Sequence, residues 1–97
     1  MVGPSARHQL LLANEYEQRG DADNALLAYK QAVAMEPGNP RPHYELGLFY
    51  AKLNRRQEAI EHLDQAYRLD PTQTIVADEL KRLGAKVPEM ASPDDPE

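Results

Sequence analysis

A chain of 97 residues with a formal net charge of -5 and no cysteine suits one small helical or mixed domain, or a piece of something longer. The acidic balance argues against a general nucleic-acid binder, which needs a basic face to displace counterions. The missing cysteine removes disulfides, thiolate metal sites and a cysteine nucleophile.

Ser5 is placed to cap a helix from Ala6 to about Arg19, with Leu10, Leu11, Leu12 and Tyr16 along one broad apolar stripe. Gly20 stands where helices commonly end in the left-handed conformation. Asp21 and Asp23 are both candidate caps for a second helix, about Ala22 to Met35, whose stripe is Ala25, Leu26, Tyr29, Ala32 and Val33. Pro37 and Gly38 stop it. Asn39 and Pro40 open a third helix, which runs to about Leu53 through Leu46, Phe49 and Tyr50. Asn54 takes the place Gly20 held. A fourth helix, about Arg56 to Leu69, buries Ala59, Ile60, Leu63, Ala66 and Tyr67, and Asp70-Pro71 ends it. A fifth starts near Gln73 or Thr74 and runs to Leu83, with Ile75, Val76, Leu80 and Leu83 apolar and Gly84 as its stop. Beyond Gly84, three prolines and four acidic residues predict a disordered acidic tail over 85–97. Residues 1–5 are expected to form a flexible N-terminus. No strand-period alternation of useful length is present.

Two stretches carry one pattern thirty-four residues apart: Leu12, Tyr16, Ala25, Ala32 and Pro37 return as Leu46, Tyr50, Ala59, Ala66 and Pro71. A fixed period of this length means stacked helical units. The small residues allow two helices to approach to about 8–10 Å, and Ala13 and Gly47 serve the same purpose on the first helix of each pair. Tyr16 and Tyr50 fill the wider gaps. These shared positions are scaffold and not functional sites.

The pattern resembles the tetratricopeptide repeat. His43 stands where tryptophan is usual, followed by Leu46-Gly47, Tyr50, Ala59 and Pro71, with Leu63 replacing the usual aromatic. The first unit has Gln9 at the tryptophan place, then Leu12, Ala13, Tyr16, Ala25, Tyr29 and Pro37. The resemblance implies an all-α, right-handed α-solenoid of antiparallel helix pairs. Its parts are repeat 1 over 6–39, repeat 2 over 40–73 and a capping helix over 74–84, five helices in all.

The resemblance also implies a concave groove lined by the first helix of each pair, where a peptide or protein partner lies. Carried over by repeat position, the groove residues are Arg7, Leu10, Leu11, Asn14, Glu17 and Gln18, then Arg41, Tyr44, Glu45, Leu48 and Lys52, then Ile75, Asp78, Glu79 and Arg82. Leu10, Tyr44, Leu48 and Ile75 form an expected apolar centre with a charged rim. Some family members clamp a chaperone C-terminal carboxylate with two lysines, two asparagines and an arginine. The matching places here are Leu10, Asn14, Glu45, Ile75 and Glu79. Only Asn14 agrees, and Glu45 and Glu79 oppose an anion, so no such clamp is expected.

Catalytic and cofactor chemistry has no residues behind it. His8, His43 and His62 lack metal-ligand spacing and are expected to be partly exposed or packed. There is no glycine-rich phosphate loop and no nucleophile elbow. Arg55, Arg56 and Lys52 make a basic spot too small for nucleic acid. No segment reaches the ~18–20 apolar residues of a membrane span, and Met1–Ser5 lacks signal-peptide character, so a cytoplasmic location is expected unless a targeting segment lies outside this chain. The sequence points to a non-catalytic protein-binding module without cofactor or metal. A competing expectation is self-association, a homodimer covering Leu10, Leu11 and Leu27, because the outer flank of the first helix pair carries no obvious polar cap. A third is a scaffold fragment of a larger protein.

Overall fold

The computed structural model describes residues 5–87. It contains five helices: α1 (Ala6–Gln18), α2 (Ala22–Met35), α3 (Pro40–Lys52), α4 (Arg56–Leu69) and α5 (Thr74–Arg82). Strands are absent among the described residues. The expected flexible N-terminus, apart from Ser5, and the acidic tail from 88 onward lie outside them.

Local chemistry sets each boundary. The Ser5 hydroxyl accepts from the His8 N–H at 3.2 Å, the Asp21 carboxylate from Asn24 at 3.2 Å, and the Asn39 side chain from Arg41 at 3.0 Å. Between the two expected caps of α2, Asp21 performs the role and Asp23 lies in the first turn. Helices α4 and α5 have no side-chain cap. Gly20, Asn54 and Gly84 adopt positive φ of 77°, 63° and 80°. Each is followed by a residue whose N–H reaches back to a carbonyl five residues earlier: Asp21 to Tyr16, Arg55 to Tyr50 and Ala85 to Leu80, all at 2.9 Å. One reversal chemistry therefore ends α1, α3 and α5.

Packing follows the repeat. Helices α1 and α2 form one antiparallel pair and α3 and α4 another; α3 lies against α2, and α5 against α4. Ala13, Ala25, Ala32, Ala59 and Ala66 have no exposed surface. At Gly47 the approach is tighter still: a Cβ there would lie 2.8 Å from Leu63 Cγ. Phe49 of α3 meets Tyr29 of α2 with ring centroids 5.1 Å apart, which joins the two pairs.

Val76 and Leu80 of α5 and Leu83 at its C-terminal cap stand thirty-four residues after Pro42, Leu46 and Phe49, so α5 docks on α4 with the positions α3 uses on α2. Arg56 Nε donates to the Leu83 carbonyl at 2.7 Å and ties down the C-terminal end of α5. The expected tail starts late: Ala85 and Val87 still pack on the cluster of Leu63, Ala66, Val76 and Leu80.

Candidate functional site

Helices α1, α3 and α5 share one face, and two hollows open between them. The first, about 490 Å³, lies between α1 and α3 and is lined by Arg7, Leu10, Leu11, Asn14, Glu36, Asn39, Arg41 and Glu45. The second, also about 490 Å³, lies between α3 and α5 and is lined by Arg41, Tyr44, Glu45, Thr72, Gln73, Thr74 and Ile75. Arg41 and Glu45 belong to both, and their 2.7 Å ion pair forms the ridge that separates them. A smaller depression of about 120 Å³ gathers Asn14, Glu17, Tyr29, Tyr44, Leu48 and Lys52.

The fifteen sequence-derived groove residues divide accordingly. Leu10 is only 6% exposed and sits in the core beside Ala6 and Ala13; one edge of it floors the first hollow. Its neighbour Leu11, 61% exposed, is the apolar side chain presented to solvent on α1. Ile75 is likewise exposed, while Tyr44 and Leu48 are half-buried. Gln18 lines a further depression along α1 with His8, Leu12 and Glu15, which shares Leu11 and Asn14 with the first hollow. Asp78 is exposed on α5 and Glu79 pairs with Arg82. The inter-helix turns also contribute Glu36, Asn39 and Thr72–Thr74, residues the helix-by-helix reading passed over. The signal was present: the turn after each repeat proline runs alongside the start of the next first helix.

Polar contacts, part-buried at Tyr29 and Asn14 and exposed at Lys52, hold the floor of this face. Tyr29 donates to Glu17 at 2.8 Å, and Lys52 of α3 reaches across to the same carboxylate at 2.6 Å. Burial, with Glu17 beside it, pushes the Tyr29 hydroxyl well above the usual phenol range. Tyr44 is shifted the same way by burial and by Glu79 and Glu45. Asn14 donates to the Leu10 carbonyl at 3.1 Å and accepts from Tyr29 at 3.3 Å. Glu36 accepts from the Ala6 N–H and from Asn39, which anchors the start of α1 to the turn after α2.

Away from this face, His43 is buried with Nε2 donating to the Pro37 carbonyl at 2.9 Å, which leaves Nδ1 facing Nδ1 of His62 at 3.5 Å. The His62 ring stacks on both His43 and Tyr50, and Arg55 lies over Tyr50. Burial, then His43, holds the His62 pKa below the usual histidine range. Among the described residues no group of three or more metal-binding side chains comes together. No helix among them is long and apolar enough to cross a membrane.

Residues 10–74 match the family model described as the tetratricopeptide repeat. The chain belongs to the tetratricopeptide repeat (TPR) family. Among curated proteins, BBSome complex member BBS4 of Bos taurus is 39% identical over 69 residues, covering 68% of this chain and 13% of that protein. The chain thus spans a small part of its relative's length. Among solved structures, the second TPR of Spaghetti (RPAP3), bound to HSP90 peptide SRMEEVD, matches with a TM-score of 0.68 at 20% identity, over 82% of this chain and 81% of that one. At that identity the likeness shows the fold. TPR membership also clarifies His43: in the tryptophan place, it supplies a ring for stacking and a donor for the Pro37 carbonyl.

Proposed function

We propose that this chain is a non-catalytic protein-interaction module that holds a peptide or protein segment across α1, α3 and α5, without a chaperone carboxylate clamp. The observation that carries the reading is the pair of hollows flanking the Arg41–Glu45 ridge, which combine half-buried Tyr44 and exposed Leu11 and Ile75 with a charged rim. Apolar anchors inside a polar rim are the usual anatomy of a recognition patch. The clamp is disfavoured because Leu10, Glu45, Ile75 and Glu79 stand at four of its five places. Only Asn14 fits, and its amide already serves Leu10 and Tyr29.

The test is capture from native cells with the full chain, repeated with Tyr44→Ala, Leu48→Ala and, on another face, Leu27→Ala. The groove substitutions should release the captured partner and the Leu27 substitution should keep it. The reverse pattern sinks the reading. Tight binding of a chaperone C-terminal peptide that requires its free carboxylate would sink the no-clamp part alone.

Self-association is the second reading, supported by the exposure of Leu11 and Leu27. The outer flank of α1 weakens it: His8 and Glu15 are exposed there, thirty-four residues before buried Pro42 and Phe49, so that flank is polar where α3 is apolar. Light scattering at high micromolar concentration decides, a monomer counting against the dimer.

A further inference from the structure

His43 and His62 are nineteen residues apart on different helices, a spacing that matches no ligand motif. The fold brings them together inside repeat 2. Their Nδ1 atoms lie 3.5 Å apart and their ring centres 5.7 Å apart, with the planes inclined by 26°. The distance between centres is close to the nitrogen separation plus one ring radius at each end. The rings are therefore offset so that both Nδ1 atoms lie near the line joining the centres, each pointing at the other.

His43 is held in this pose. It is 4% exposed, and its Nε2–H donates to the Pro37 carbonyl at 2.9 Å, which leaves the lone pair on Nδ1. A carbonyl behind the far nitrogen is the usual support of a metal-binding histidine, fixing both tautomer and ring orientation. A hydrogen bond between the rings accounts poorly for the pair, because 3.5 Å is long for an N–H donor, which prefers about 2.9–3.0 Å. His62 is half-buried and packs on its other side against Tyr50, so the pair is reached from solvent at one edge. Burial, then the His43 ring, keeps His62 below the usual histidine range, so it is a neutral ligand at neutral pH. Glu61 and Glu58 of α4 favour a cation here, and Lys30 of α2 opposes it. Arg55 lies over the Tyr50 ring and pairs with Glu58 at 3.4 Å.

Two imidazoles stand alone, since no group of three metal-binding side chains forms among the described residues. Tetrahedral zinc is poorly served by two facing donors and no third ligand. A monovalent d10 ion that accepts two collinear nitrogens is served well, and imidazole suits copper. With metal–nitrogen bonds of about 2 Å, the nitrogens need to part by only about 0.5 Å from their 3.5 Å separation.

We propose that His43 and His62 form a two-coordinate copper(I) site, with both Nδ1 atoms as ligands, that ties α3 to α4. The site lies away from the groove and does not depend on the proposed function.

The experiment titrates the full chain under anaerobic, reducing conditions with copper(I) buffered by bicinchoninate, and separately with silver(I) as a redox-inert stand-in. Ring nitrogen and methionine methyl signals are followed by NMR. One ion per chain should shift Nδ1 of His43 and His62, leave His8 unchanged and raise the thermal midpoint. His62→Gln, with its helix content checked by circular dichroism, should weaken binding by more than the ~10–100-fold that loss of a supporting partner costs. Met35→Leu, which removes an exposed thioether, should leave it unchanged. Binding should weaken between about pH 7.5 and about pH 5.5 as protons compete for the same lone pairs. Shifts confined to His8 or to methionine methyls, affinity that survives His62→Gln, or no binding at all overturns the site. Zinc(II) binding to the same two nitrogens as tightly as copper(I) overturns the two-coordinate assignment.

Discussion

The two repeats agree at the positions that hold each helix pair together and disagree at the positions that face a neighbour. Ala25 and Ala59, Ala32 and Ala66, and the turns at Gly20 and Asn54 are interchangeable in role. The outer side of the first helix is not: α3 packs Pro42 and Phe49 against the preceding pair, and α1 shows His8 and Glu15 to solvent. The inner side of the pair differs too. Gly47 lies under Leu63, while in repeat 1 the same places hold Ala13 and Tyr29, and Tyr29 turns its hydroxyl toward Glu17. Repetition therefore records most of the pairing within a unit, with Gly47–Leu63 against Ala13–Tyr29 the exception, and the outer departures record what lies beside it.

The strongest way to break this comparison is to truncate one repeat position in both units. Phe49→Ala should cost about 3–5 kcal/mol, as for other buried aromatics, and Glu15→Ala should stay within about 0.5 kcal/mol. Urea unfolding of both variants checks it, and similar losses at the two sites would contradict the assignment of neighbour-facing positions. Next comes the small-residue position. Gly47→Ala should destabilise by about 1–3 kcal/mol, because the new methyl meets fully buried Leu63 and the Ala59 carbonyl. Ala13→Gly should cost about 1–2 kcal/mol, through helix propensity and the loss of a fully buried methyl. An unchanged thermal midpoint for Gly47→Ala would show that Leu63 has room to move.

Lys52→Ala removes the cross-repeat bridge to Glu17 and should cost about 0.5 kcal/mol, since the ammonium is exposed. Its loss should shrink as salt rises, which unfolding curves at two ionic strengths will read. The smallest effect is a pH slope confined to repeat 2. Burial, then His43, lowers the His62 pKa, with Lys30 of α2 adding to the shift and Glu61 and Glu58 opposing it. The unfolded chain therefore takes up the proton first. Stability from this group is complete above the ordinary histidine value of about 6.5 and is lost as pH falls below it. The urea midpoint should drop between about pH 7.5 and about pH 5.5, and His62→Gln should flatten that part of the slope. A wild-type midpoint that rises on acidification would reverse the sign.

Legibility followed the same division. Helix bounds were readable within a residue because Ser5, Asp21, Asn39, Pro40, Gly20 and Asn54 act locally. The four helices of the two repeats followed from the offset, and the fifth from its own apolar residues and the Gly84 stop. Long-range polar contacts were not readable. Nothing local says that Lys52 crosses to Glu17, that Arg56 reaches Leu83, or that His43 meets His62. In sequence the basic spot at Lys52, Arg55 and Arg56 is only a local cluster too small for nucleic acid. Each member instead has a partner: Glu17, the Tyr50 ring with Glu58, and the Leu83 carbonyl. Leu10 and Leu11 show the limit at a single step, since adjacent residues of one apolar run point to core and solvent. The run fixes a broad stripe but not which edge of it faces out.

Helix α5 spans only nine residues and has no side-chain cap, too short to persist in water by itself. It is ordered by Val76, Leu80 and the Arg56 guanidinium, so one wall of the second hollow exists only while docking lasts. Opening of that wall is a local equilibrium, separable from global unfolding. A segment seated between Tyr44 and Ile75, as proposed, should draw that equilibrium shut. Amide protons along the whole of α5, including Val76 and Leu80 on the side away from any ligand, then exchange more slowly in proportion to occupancy.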